Sequence, residues 1–322
     1  MSAAVPRQPS LAPASAGRPR FVVRQVLRPL TGYALVLPAL AVLVLFYYVP
    51  AFLLFIISFL HFHLAGTGTS FAGLGNFAVL LSQPLFFKSL EVTAYYALVM
   101  VPATLVLSMA LAMLVRDAAR RGLRGGVSQA LIFLPHVTPL VATSLIWVYI
   151  LNPQFGLLNF ILSQFVSHPP GWLTDSNWAL PAVMIYTLWH SLGLYMVLFL
   201  AGLAVIPERL IEAARIEGVT GWGAFRRVVL PLLRPTIYLV SVLATVSTMQ
   251  AFSQIYTLTG GAYGHGGGPA FSTTTDAVLI YQTAFQYFHF SLAAAMSLIL
   301  FVILLLITLV QRWGFHRQEA SR

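Results

Sequence analysis

Apolar residues fall along this chain in long uninterrupted blocks, separated by short polar stretches, without the alternation expected of half-buried strands. A helix crossing a hydrocarbon core of about 30 Å needs roughly 20 mainly apolar residues at 1.5 Å each. Six blocks meet that length: 33–60, 89–115, 127–151, 178–206, 236–258 and 290–310. Each is expected to be helical, because an open strand would leave backbone N–H and C=O groups unsatisfied in lipid. The pattern therefore predicts an all-α integral membrane protein with six transmembrane helices.

Composition narrows the class in the same direction. Hydrophobic residues make up 59% of the 322 and charged residues only 8%, against about a quarter charged in soluble domains. With no cysteine, disulfide frameworks and thiolate metal sites are excluded. A net charge of +10 would ordinarily raise nucleic acid or an anionic substrate as a partner. Placement gives another reason. Arginines cluster in the N-terminal stretch (Arg7 to Arg28), at Arg116–Arg124, at Arg209–Arg234 and after Arg312, whereas the alternate loops hold only Lys88. That asymmetry puts the arginine-rich loops and both termini in the cytoplasm, facing anionic lipid, and no nucleic-acid partner is expected.

The first residues are polar, proline-rich and basic, and the apolar run that follows is too long for a cleaved signal. The expected organisation is a disordered basic cytoplasmic tail over 1–31, a six-span domain over 32–311, and a C-terminal cytoplasmic tail over 312–322.

The stretch 206–235 departs from the short turns expected between spans. Pro207 suits a first helical position, Glu208 and Glu212 favour the positive end of a helix, and Gly218 supplies a left-handed stop. Thr220 is placed to cap a second helix running through Val229, with Pro231 ending it. Ala213, Ala214 and Gly218 are small enough for a partner's surface to approach closely, and Glu212 and Glu217 offer acceptors. The residues alone leave two readings open: helices lying on the inner leaflet, held by Trp222, Arg226 and Arg227, or helices that dock a protein.

The run Glu212-Ala213-Ala214, then Gly218, Phe225, Leu230-Pro231 and Pro235 resembles the EAA loop of binding-protein-dependent ABC importer permeases. Glu217 stands where that family usually has aspartate. Phe71-Ala-Gly-Leu-Gly-Asn-Phe77, Phe133-Leu-Pro135, Asn152-Pro-Gln-Phe-Gly156, Thr257-Leu-Thr-Gly-Gly261 and Ser291-Leu-Ala-Ala-Ala-Met-Ser297 are similar to its sugar-type branch, the maltose and glycerol-3-phosphate group. Residues 262–266 look inserted against the compact glycine-rich turn common there. The resemblance implies a type I ABC importer permease fold in a bacterial cytoplasmic (inner) membrane, working by alternating access. Its implied partners are a second, non-identical permease subunit, a pair of ATPase subunits and an extracytoplasmic solute-binding protein. ATP would be used by the ATPase, with no cofactor in this chain. Glu212, Ala213, Ala214, Glu217, Gly218 and Pro231 would carry the coupling to that ATPase.

Polar groups inside spans are costly in lipid and usually face a bundle interior or a cavity. Gln250, Ser253, Gln254 and Tyr256 in the fifth block, and Trp189, Ser191 and Tyr195 in the fourth, are candidate contacts along a solute pathway. Helical spacing puts Gln250 and Gln254 on one face, and Ser191 and Tyr195 on another. Hydrogen bonding between packed helices is the competing role for the fifth-block set, and the expected one for His190. His61 and His63 lack further ligands nearby, so no metal site is expected. The stretch 276–287 reads as an amphipathic helix on the outer surface. No P-loop is present, since the glycines from Gly260 to Gly268 lack the Lys-Ser/Thr ending. An ion-coupled transporter or channel acting alone is the other class to weigh. Such proteins usually carry intramembrane charges, and only Glu91 falls within a span.

Overall fold

The computed structural model describes residues 35–62, 68–122, 125–260 and 266–320. The expected tail over 1–31, His63 and most of the insertion at 262–266 lie outside these. The chain divides into two compact units, Met1–Leu53 and Leu54–Arg322.

Helix α1 (Leu35–Ser58) is continuous and apolar throughout, with a π-helical turn at Val44–Tyr48. In the second unit, a two-residue hairpin pairs β1 (Leu60–His61) with β2 (Ser70–Phe71), antiparallel. The buried Asn76, on α2 (Gly75–Leu81), donates to the carbonyls of Ser58 (2.8 Å) and Leu60 (3.0 Å). It satisfies acceptors freed where α1 ends.

Helix α3 (Pro84–Arg120) is 37 residues long, about 55 Å at 1.5 Å per residue. It therefore outreaches the hydrocarbon core and carries contacts beyond it. It packs against α7 (Ala179–Val205) and α10 (Arg234–Met249), while α13 (Phe290–Ala320) packs on α10. Helix α13 continues unbroken past residue 312, where the sequence predicts a tail.

The block at 127–151 is not one straight span. It forms α4 (Gly125–Val137) and α5 (Leu140–Ile150), bent by 93°. Pro139 has no N–H to continue the α4 ladder and enters α5 as its cap, with φ −58° and ψ 123°. The loosened carbonyls find partners: Thr138 Oγ1 donates to Pro135 O at 2.5 Å, and His190 Nε2 lies 3.3 Å from Thr138 O. His190 thus joins two helices, as expected. Among the described residues, five helical stretches, with Arg234–Gly260 taken as one, are long and apolar enough to cross a membrane, and the bent pair makes a sixth if it counts as one span.

The fifth block is interrupted too. After α10 ends at Met249 the chain unwinds, then resumes as α11 (Ser253–Gly260), which packs on α5. Gln250 and Gln254 therefore do not share one continuous helical face.

Of the stretch read as a surface helix, the first part is packed inside, whereas Phe285 and Tyr287 are exposed. Helix α12 (Asp276–Tyr281) lies against α13 and α3, followed by a π-helical turn at Gln282–Gln286. Asp276 is 0% exposed. Its backbone N–H donates to Thr93 Oγ1 (2.8 Å) and Ser89 Oγ donates to Oδ1 (3.3 Å), whereas Oδ2 has no partner. Burial outweighs the Ser89 hydrogen bond and lifts this carboxyl from 3.8 to about 7. The folded protein keeps the proton across an interval where the unfolded chain has released it. The contribution of Asp276 to stability is therefore full below about pH 4, declines up to about pH 7 and levels off above. Thermal melts of the detergent-solubilised protein are expected to show that decline, and Asp276→Asn to abolish it. An unchanged pH profile in the variant would count against a buried, protonated Asp276.

Candidate functional site

The candidate in the stretch 206–235 is built from two short helices. Helix α8 (Glu208–Ile216) begins after Pro207, which caps it in an extended conformation (φ −62°, ψ 131°) instead of occupying its first turn. At the other end Gly218 N–H donates to Arg215 O (3.0 Å) and Val219 N–H to Ala214 O (2.8 Å). This paired pattern is the Schellman stop, and it requires the left-handed φ of +78° found at Gly218. Glu217 is the last residue before that turn.

The second helix differs from expectation. It starts at Trp222 after Gly221, not at a Thr220 cap, and runs as α9 (Trp222–Ala224) through a π-helical stretch at Phe225–Val229 into Leu230–Leu232. Pro231 does not end it. The wide turn resets the ladder, so Pro231 falls in the first turn of a new segment where its missing N–H costs nothing. The path then enters α10 almost directly.

Facing decides what α8 can do. Ile211 and Ala214 are buried, Ala214 at 7% exposure, while Glu212, Ala213 and Glu217 are exposed and Ile216 is 88% exposed. Ala214, expected on the partner-facing surface, points into the protein instead. Its neighbour Ala213 holds the outer position. Ile216 was not singled out by sequence, because an isoleucine in a short amphipathic helix is ordinarily assigned to the core. Arg120 at the end of α3 reaches Glu208 at 2.5 Å, which aligns the two helices. The pair is largely exposed and adds little stability.

Ile211, Phe225 and Val229 belong to one apolar core with Ala112 and Val115 of α3, Phe199 and Leu203 of α7, and Val240 of α10. Burying a side chain of this size contributes about 1.5–3 kcal/mol. The loop is therefore bolted to three long helices through side-chain packing.

The solute-pathway candidates separate into different places. Tyr195 is buried in that same core, whereas Ser191 is half-buried. Ser191 Oγ donates to Thr187 O (2.7 Å) on its own helix. Gln254 is buried, and the Tyr96 hydroxyl donates to Thr187 Oγ1 (3.0 Å), tying α3 to α7. Trp189 lies beside Trp147 and Tyr186 at ring separations of 5.4 and 6.1 Å. Gln250 is exposed and Ser253 half-buried, and neither makes a side-chain hydrogen bond among the described residues.

Tyr256 stands in a different setting. Its ring is 5.3 Å from Phe252 and 5.2 Å from Tyr281, and Gln286 Nε2 donates to its hydroxyl at 3.1 Å. Tyr281 is in turn 5.4 Å from Phe285. All are at least partly exposed. This half-open shelf of rings with an amide at its edge offers flat CH-stacking faces and hydrogen-bond groups side by side. Sequence spacing pointed to Tyr256 alone, since Tyr281 and Gln286 arrive from a distant segment. The π-helical turn at Gln282–Gln286 re-phases Gln286 relative to Tyr281.

Residues 104–318 match the family of binding-protein-dependent transport system inner membrane components. This chain belongs to that family. The permease is 31% identical over 290 residues to the lactose transport system permease protein LacF of Rhizobium radiobacter, covering 89% of this chain and 95% of that protein. It is 33% identical over 282 residues to the sn-glycerol-3-phosphate transport system permease protein UgpA of Agrobacterium fabrum, covering 87% and 92%. The trehalose/maltose permease protein MalF of Thermococcus litoralis is 32% identical over 284 residues. In fold, the permease matches a chain of a bacterial ABC transporter involved in import of the acidic polysaccharide alginate, with a TM-score of 0.76 at 22% identity, over 92% of this chain and 98% of that one. The protein is thus a permease subunit of an ABC importer in the inner membrane, a transport component and not an enzyme.

Proposed function

We propose that this permease moves a sugar or a related polar solute by alternating access, driven by a separate ATPase pair that seats on α8. It works beside a second, non-identical permease subunit, with both termini in the cytoplasm and a solute-binding protein on the outer side. The observation that carries the reading is the division of α8: Glu212, Ala213 and Ile216 face outward, while Ile211 and Ala214 are packed into the core of the long helices. A helix exposed on one side and rigidly held on the other suits transmission of motion from a partner. ATP is consumed by that partner.

The sugar class is supported by the names of the relatives and by the chemistry of the Phe252–Tyr256–Tyr281 shelf, which suits a ring bearing hydroxyls on apolar CH faces. The outward positions of α8 mix the acids Glu212 and Glu217 with Arg209 and Arg215 beside Ile216, so an anionic surface does not favour the helix as a whole, which supports docking on a protein over an inner-leaflet helix.

Reconstitution tests the assignment. Uptake into proteoliposomes is expected only with the second permease, the ATPase, the binding protein and ATP all present. Because the chain has no cysteine, Ala213→Cys gives a unique crosslinking position, expected to capture the ATPase, whereas Ala214→Cys is expected to react poorly. ATP-independent uptake by this chain alone would favour an ion-coupled carrier and sink the proposal.

A further inference from the structure

Between the inner end of α3 and the α8–α9 pair lies a groove of about 680 Å³ whose walls are apolar and whose rim is basic. Val106, Ala110 and Leu114 line it at four-residue intervals along α3, and Leu114 is 66% exposed. This strip runs about 12 Å along the helix axis, parallel to the direction an acyl chain takes in a bilayer. At the same end as α8, the groove is lined by Arg116, Arg120 and Arg215. Trp222, 72% exposed, also stands at the rim.

The charges there are only partly balanced by the protein. Arg120 is paired with Glu208, and the one acid in the lining, Asp117, is paired with Arg121. Among the described residues, Arg116 and Arg215 have no carboxylate within ion-pair distance. Arg116 is partly buried and feels both the repulsion of Arg120 one turn away and the attraction of Glu208. A phosphate monoanion set among these groups would answer both deficits at once, and a covalently attached hydrocarbon chain would fill the strip below it. An exposed indole at this level is the usual companion of lipid headgroups.

We infer that this groove is a binding site for one anionic phospholipid of the inner leaflet, its phosphate bridging Arg116 on α3 to Arg215 on α8 and its acyl chain lying along Val106, Ala110 and Leu114. The inference rests on the cytoplasmic placement of the α8 loop proposed above. A lipid held this way joins the docking helix to a long span through a component that the membrane, and not the gene, supplies. Coupling efficiency would then follow the anionic fraction of the bilayer.

The test uses the assembled transporter in nanodiscs and reads the fluorescence of Trp222, isolated as the difference between wild type and Trp222→Phe. Brominated phosphatidylglycerol is expected to quench that signal at least fivefold more effectively than brominated phosphatidylcholine at equal mole fraction, in keeping with roughly that factor per basic residue near a charged lipid surface. Arg116→Gln with Arg215→Gln is expected to erase the preference, and Arg116→Lys with Arg215→Lys to keep most of it. Arg215 is exposed, so Arg215→Gln alone leaves folding intact and is expected to lower the preference about threefold. Equal quenching by the two lipids, or a preference that survives in the glutamine variants, would overturn the site. So would absence of quenching by either lipid, which would mean that another protein chain covers the groove, or displacement by millimolar inorganic phosphate, which would mean that the acyl strip plays no part. ATP-dependent uptake measured on the same nanodisc preparations after transfer to vesicles reports on the coupling role of α8 separately from these optical readings.

Discussion

Replacing Gly218 with valine is expected to leave the permease inserted at normal abundance while uptake falls by about tenfold or more. At φ +78° an L-residue costs roughly 1–2 kcal/mol, and a β-branched one more. A perturbation of that size in the productive geometry corresponds to about a tenfold change in a coupled equilibrium. Nothing lies within 4 Å of a Cβ built at this position, so the variant meets no clash inside the chain itself. The strain falls on the Schellman turn, which sets the direction of the chain between α8 and α9. Gly218→Asn, which tolerates left-handed backbone, is expected to retain much of the uptake. Normal transport by the valine variant would contradict the coupling role. Equal loss in the asparagine variant would instead assign Gly218 to close approach by the partner.

The second large effect is on stability. Gly193 on α7 faces the backbone of α4: a Cβ there would stand 2.7 Å from Phe133 Cα and closer still to the carbonyl oxygen of Ile132. Small residues allow such backbone contact between membrane helices. Because the obstacle is main chain and not a side chain that can rotate away, Gly193→Val is expected to cost about 3 kcal/mol, the upper end for overpacking. At about 2–4 °C per kcal/mol for a chain of this size, the melting temperature in detergent should drop by roughly 6–12 °C. Gly314→Ala, with nothing within 4 Å of its Cβ, is the matched control and is expected to be neutral or slightly stabilising. A melting temperature unchanged by Gly193→Val would mean that α4 and α7 are not in backbone contact.

Most of the long helices were legible in sequence because lipid demands an apolar run of fixed length, and that demand leaves little room for disguise. Their interruptions were less legible. Hydropathy reports how apolar a block is, not the direction of its axis, so 127–151 read as one span although Pro139 turns the chain by 93°. The break after Met249 carries no glycine or proline at all; Gln250, Ala251 and Phe252 gave no local sign of it. In the α8 loop, Gly218 announced its backbone conformation directly, since few other residues adopt it. The inward turn of Ala214 was hidden, because facing depends on what lies against the helix, and alanine fits either side. The Tyr256 shelf was only half visible: Tyr281 and Gln286 reach it through tertiary packing that no local pattern encodes.

The two interruptions have a joint consequence. Beyond them, α5 and α11 lean on one another, whereas before them α4 and α10 are held to α7 and α3. On the coupling proposed above, a displacement imposed on α8 would pass through the packed bundle of α3, α4, α7 and α10, and the backbone breaks at Thr138–Pro139 and Gln250–Phe252 are the places where it would find compliance. Under that proposal these two joints would act as a fulcrum, and the residues within them would set how far α5 and α11 swing.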